Sequence, residues 1–115
     1  MTVPCQWRAP EQIRRNKGPM TEKTDVFSLG MVFYFLLTGH KPYKGLDWDD
    51  KMKNLADGVL PPLKAFANST HPFDVAVREA MYKCWEYEPE DRPTAKQVAD
   101  MLTQAVVEME KKQRY

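Results

Sequence analysis

The side chains that could do chemistry in this 115-residue sequence are few and scattered. Cys5 and Cys84 lie far apart with no C-x-x-C pairing, and His40 and His71 complete no ligand spacing with them. No metal site is expected from such a set. The cysteines suit reduced intracellular thiols better than a disulfide scaffold. Cys5 has no histidine or helix start beside it to lower its pKa, so it reads as a plain thiol, not a nucleophile. Gly18, Gly30, Gly39, Gly45 and Gly58 never approach the G-x-G-x-x-G spacing that lets backbone cradle phosphates. Among the charged residues, Glu11, Asp25 and Arg92 draw notice only in context. On residue type alone, Glu11 and Arg92 are unrelated surface charges. Asp25 is then a first-turn helix acid favoured by the dipole.

The bulk composition is that of a soluble globular domain, 43% hydrophobic and 29% charged. Seventeen Lys and Arg against sixteen Asp and Glu leave a formal charge of +1. No bulk field therefore favours nucleic acid or an anionic membrane. Two short basic clusters (Arg14, Arg15 and Lys17; Lys111, Lys112 and Arg114) read as solvated surface. The length is one domain's worth, enough to bury a core. Met1 is followed by polar and turn residues, not by a basic-then-apolar secretory signal. The longest apolar stretch, 26–37, contains Ser28 and Gly30. It falls short of the roughly 18–20 residues a membrane span needs. A soluble, cytoplasmic protein with no membrane segment is expected.

The elements that would position these residues are helical. Pro4, Pro10, Gly18 and Pro19 break up residues 1–20 around one short turn at 9–13, with Pro10 near its first position. A helix is predicted over 24–38, closed by Gly39. It is apolar on every face, as a helix at the centre of a protein must be. Asp47 should cap a helix over 48–57 whose stripe is Trp48, Met52, Leu55 and Ala56, ended by Gly58. Residues 61–72 read as loop. A further stripe over 73–85 comprises Phe73, Ala76, Val77, Ala80, Met81 and Cys84. Thr94 and Gln97 form a capping box for a helix over 94–109, followed by a polar, fraying tail at 110–115. The fold class is mainly α, about five helical pieces around one buried helix, with no strand, repeat or low-complexity tract.

Four separated motifs, in order, resemble the protein kinase catalytic domain over about residues 2–109. Ala9-Pro10-Glu11 looks like the A-P-E that ends the activation segment, and Asp25-Val26-Phe27-Ser28-Leu29-Gly30 resembles D-x-W-x-x-G with Phe27 for the usual Trp. Thr38-Gly39-His40-Lys41-Pro42-Tyr43 is similar to T-G-x-x-P-Y. Cys84-Trp85 with Pro89-Glu90-Asp91-Arg92-Pro93-Thr94 is similar to C-W…P-x-x-R-P-T, a form most like the tyrosine kinases and the tyrosine-kinase-like group. The resemblance implies the C-terminal part of the helical lobe as residues 1–109. It implies an ion pair of Glu11 with Arg92, and Asp25 as the anchor of a catalytic loop. It also implies a substrate-facing loop at Pro4, Cys5, Gln6 and Trp7. Pro4 leans towards tyrosine as acceptor, and Trp7 is equally well read as packing under the A-P-E turn.

By the same resemblance a complete domain would bind ATP and Mg2+ and act on protein substrates. The phosphate loop, strand lysine, catalytic Asp and metal-binding side chains are not in this sequence. His40-Lys41-Pro42 and His71-Pro72-Phe73 are not H-R-D, and no D-F-G occurs. No catalytic residue and no metal ligand is assigned. The sequence looks cut after those elements, which leaves two readings. One is the tail of a phosphotransferase. The other is a stand-alone helical module that binds kinases or their substrates, or acts as a scaffold, without chemistry. Under the first, the 24–38 helix should leave Phe33, Phe35, Leu36 and Leu37 half exposed.

Overall fold

A computed structural model describes residues 7–12, 21–63 and 69–113. Among these the order is a 3-10 turn Pro10–Gln12, α1 Glu22–Thr38, α2 Trp48–Ala56, α3 Pro72–Cys84, a 3-10 turn Pro89–Asp91, and α4 Ala95–Gln113. No strand occurs among the described residues, and the fold is mainly α.

Local chemistry sets the helix ends. Thr21 caps α1 by accepting from the Lys23 N–H at 3.2 Å. Gly39 ends it in the left-handed region at φ 72°, its N–H bonded to Phe35 O. The Asp47 carboxylate caps α2 by accepting from Asp50 N at 2.8 Å. In α4 both arms of the capping box close: Gln97 N donates to Thr94 Oγ1 at 3.0 Å, and Thr94 N to Gln97 Oε1 at 2.8 Å.

Helix boundaries shift by one to four residues from the sequence expectation, and some side chains differ in burial. α1 starts two residues before 24, since Thr21 and not a later residue supplies the cap. α3 begins at Pro72, the favoured first position for proline, because His71 Nδ1 accepts from Phe73 N and serves as the cap. α4 runs on to Gln113 instead of stopping at 109. A Gln104–Glu108 hydrogen bond and a Lys111–Glu108 pair support its last turns, where Lys111 and Lys112 also suit the dipole. Trp48 and Phe73 are exposed, not in their helices' buried stripes. Each sits in a first turn, where the Cβ points back past the helix start and has no preceding turn to cover.

The core lies between α1 and α3. Val26, Phe27, Met31 and Tyr34 of α1 meet Val77, Ala80, Met81 and Cys84 of α3, with Val98 of α4 and Leu55 of α2 at the margins. α4 packs against α3 and touches α1 only lightly, while α2 touches the 10–12 turn. The buried arc of α1 includes Gly30, which has a steric reason to be there. A Cβ at Gly30 would stand 2.7 Å from Trp85 Cδ1, 2.8 Å from its Nε1 and 3.0 Å from Cys84 Cβ. The indole thus lies directly on the α1 backbone, and the Trp85 N–H has no hydrogen-bond partner among the described residues.

Gly30→Ala separates two opposed effects. Helix propensity alone favours Ala over Gly by about 0.8–1 kcal/mol. The neighbours in the way are a ring and a Cβ, not a flexible chain end, and such overpacking costs about 1–3 kcal/mol. The expected outcome is net destabilisation, read as a lower urea midpoint at unchanged slope. A raised midpoint would mean that Trp85 does not lie against this helix.

Candidate functional site

The 10–12 turn is closed by Gln12, whose N–H donates to Ala9 O at 3.1 Å while its Oε1 accepts from Ala9 N at 2.7 Å. This turn presents Glu11 inward. Arg92 arrives from the other end of the described chain, just past the 89–91 turn. Its backbone is extended, as expected for a residue before proline. Both residues are 2% exposed.

The two side chains meet as a two-pronged pair. Arg92 Nη1 donates to Glu11 Oε2 at 2.6 Å, and Nη2 to Oε1 at 2.8 Å. The other three N–H groups go to main-chain carbonyls: Nη1 to Lys23 O at 2.9 Å, Nη2 to Tyr87 O at 2.9 Å, and Nε to Glu86 O at 2.7 Å. A guanidinium has five donors, and all five are used. Its carbon also lies 4.8 Å from the Phe27 ring centroid. Lys23 returns the contact, its ammonium donating to the Arg92 carbonyl. Thr24 Oγ1 donates to Glu11 Oε2 at 2.9 Å. Three segments, the 10–12 turn, the start of α1 and the 86–92 loop, are thereby tied at one point.

Burial pushes the Glu11 carboxyl upward. The Arg92 hydrogen bonds and charge, a main-chain N–H and the Thr24 hydroxyl outweigh it and hold the pKa below the ordinary carboxylate value. Nearby, burial pushes the Cys84 thiol up to about 11 against a smaller opposing effect of Arg92. Cys84 is therefore a protonated core thiol without nucleophilic character. All five Arg92 donors are taken up within the junction, and its chemistry is structural.

The other sequence-selected residues are placed separately. Pro4, Cys5 and Gln6 lie outside the described residues. Trp7 packs on α1: its carbonyl accepts from Ser28 Oγ at 2.6 Å, and its ring meets Phe35 edge-on with centroids 6.5 Å apart. Asp25 is exposed on the first turn of α1, and none of the described residues bonds its side chain. It heads an open face. Asp25, Leu29, Val32 and Leu36 follow at i, i+4, i+7 and i+11, with Phe35 alongside. Val32 is 43%, Phe35 42% and Leu36 63% exposed. Phe33, expected to be half exposed, is buried, since it lies on the arc that faces the core; Val32 takes its place on the open side. Thr24 and Lys23 were not singled out by sequence. Thr24 carried a weak signal, a polar residue on the buried arc of an apolar helix. Among the described residues, no group of three or more His, Cys, Asp or Glu could hold a metal ion.

The sequence matches the family model for protein tyrosine and serine/threonine kinases over residues 1–102. It is 32% identical over 108 residues to ephrin type-A receptor 4-A of Xenopus laevis, covering 90% of this chain and 10% of that protein. With tyrosine-protein kinase FRK of Homo sapiens the identity is 36% over 93 residues, covering 80% of this chain and 17% of the relative. With serine/threonine-protein kinase STY17 of Arabidopsis thaliana it is 32% over 110 residues, covering 96% and 18%. The chain thus spans less than a fifth of the length of each of these relatives.

Removing one partner of the junction leaves the other charge buried, which typically costs about 3–5 kcal/mol. Glu11→Ala and Arg92→Ala should each destabilise strongly, and the double variant should lose much less than their sum. Additive losses would mean that the pair is not coupled. Acid titration gives an independent check. Because the folded carboxyl has the lower pKa, its stabilisation is complete above the ordinary carboxylate value. It is lost as pH falls through the folded value. Glu11→Gln should flatten that acid limb of the stability curve; an unchanged limb would assign it to other carboxylates.

Proposed function

We propose a role from one premise: the chain belongs to the protein tyrosine and serine/threonine kinase family. It is the C-terminal part of that family's helical lobe, from the end of the activation segment through the last helix. In the complete domain this part serves transfer of the ATP γ-phosphate to Ser, Thr or Tyr of a protein substrate.

One observation carries this reading. α1 is apolar all round, yet the described residues cover only one side of it. Val32, Phe35 and Leu36 are left open in a row that starts at Asp25. Burying such side chains contributes roughly 1.5–3 kcal/mol each, so an open row favours a covering partner. The proposed cover is the preceding half of the same lobe, with Asp25 holding its catalytic loop through backbone N–H bonds. A stand-alone module has no use for an unbonded Asp25 at the head of an open apolar face.

The residues here do not fit ATP or Mg2+. The sequence has no glycine-rich phosphate loop, and no ligand cluster forms among the described residues. No step of phosphoryl transfer is assigned to this chain, and both groups would be held by the preceding part of the domain. This chain's share is positional. The Glu11–Arg92 junction fixes the 10–12 turn, and the loop of Pro4, Cys5, Gln6 and Trp7 is the part that would face the protein substrate. Pro4 favours a tyrosine acceptor. No described helix is long and apolar enough to cross a membrane. The domain would act where ATP is abundant, in the cytoplasm.

A chimera tests the proposal: this chain replaces the matched segment of tyrosine-protein kinase FRK. The chimera should be soluble, bind little apolar-surface dye, and phosphorylate a generic acceptor. Asp25→Ala should cut that activity by an order of magnitude or more, while leaving the chain alone as stable as before. The chain alone should bind the dye and transfer no phosphate. An inert chimera, together with a chain that is monomeric, unfolds cooperatively and binds no dye, would favour the stand-alone module instead.

A further inference from the structure

A second feature lies at the opposite end of α1, away from the junction. The last turn of α1, the 39–46 loop, α2 and the 59–63 strip enclose a cavity of about 430 Å³. Pockets that take small organic ligands run about 300–1,000 Å³ and are largely apolar with a few placed polar groups. This one fits that description. Tyr34, Tyr43, Leu60 and Leu63 form its walls.

The walls are held before any ligand arrives. Tyr34 Oη donates to Pro62 O at 3.1 Å, and Tyr43 Oη to Val59 O at 2.7 Å. Tyr43 is also the one non-glycine residue with positive φ among the described residues, at 58°. A bulky side chain in that conformation is strained, and such strain persists only where the surroundings over-determine it. Here it turns a buried ring into the cavity wall.

The charge at the mouth is one-sided. His40 and Lys44 line it, and no Asp or Glu does among the described residues. Lys44 Nζ lies 3.4 Å from His40 Nδ1. An ammonium has no acceptor, so Lys44 donates and His40 keeps its own proton on Nε2. Both side chains thus present donors at the rim of an apolar chamber.

We infer that this cavity binds a small amphiphilic carboxylate: a flat apolar body seated between Tyr34 and Tyr43, with the carboxylate at Lys44 and His40. None of Asp25, Leu29, Val32, Phe35 and Leu36 of the open α1 face lines this cavity, and the site does not depend on the proposed catalytic role.

Three probes of one shape test it, 3-phenylpropionate, 3-phenylpropionamide and 3-phenylpropylamine. Each is titrated into the 115-residue chain and followed by amide NMR shifts of the non-proline residues of 40–46 and 59–63. The carboxylate should bind most tightly and the amine least, by about threefold or more across the series, the scale of an exposed charge contact. Lys44 is exposed, so Lys44→Glu leaves the fold in place and should reverse the order. Probes captured instead by the open face of α1, which carries Asp25 and no cation, would favour the amine and ignore Lys44→Glu. That result, equal binding of all three probes, or no saturable shift would overturn the assignment.

Discussion

One side chain joins what the sequence keeps apart. Arg92 is 81 positions from Glu11, and its guanidinium reaches the 10–12 turn, the first turn of α1 and the 86–87 main chain at once. Burying a charge costs several kcal/mol unless its hydrogen bonds are met, and a half-satisfied group is worse than none. Here every donor is met. The planar fork matches the carboxylate on one edge and carbonyls on the others, which the compact ammonium of lysine cannot do. The 10–12 turn has no hydrophobic run of its own to hold it down. Its position follows from Arg92.

α1 is the other organising element, and its two sides do different work. The covered side is specified tightly enough that Gly30 has no room for a methyl group beneath Trp85. The open side carries large apolar groups that the described residues leave substantially exposed. A helix apolar all round is expected to be covered on all sides, and the described residues cover one; under the proposed function the preceding part of the domain covers the other. The closeness of Cys84 and Trp85 to Gly30 also gives physical meaning to two motifs that the sequence shows as separate strings. The glycine of one is the space that the tryptophan of the other occupies.

Much of this was legible in the residues. Helix ends follow local rules, so Gly39, Asp47 and the Thr94–Gln97 box located three of them directly. His71 was missed as a cap because histidine seldom plays that part, and α4 was cut short because its support comes from side-chain pairs rather than apolar spacing. Phe33 and Val32 are neighbours, and only the position of α3 decides which of them faces the core. The acid of the junction could be paired with Arg92 only through the resemblance. The three carbonyls on Arg92 were beyond reach, since main-chain acceptors carry no residue signature. The strained backbone of Tyr43 was equally silent, being fixed by the walls around it.

The most direct test of the junction's reach is amide hydrogen exchange on Arg92→Lys, which keeps the charge and removes the fork. If Arg92 ties the three segments into one unit, then protection should fall together at Gln12, Thr24, Asp91 and position 92, whose amides close the adjoining turns. Protection in the middle of α3 should hold. Loss confined to positions 91 and 92, with Gln12 and Thr24 unchanged, would contradict a shared anchor and leave Arg92 as a local contact of its own loop.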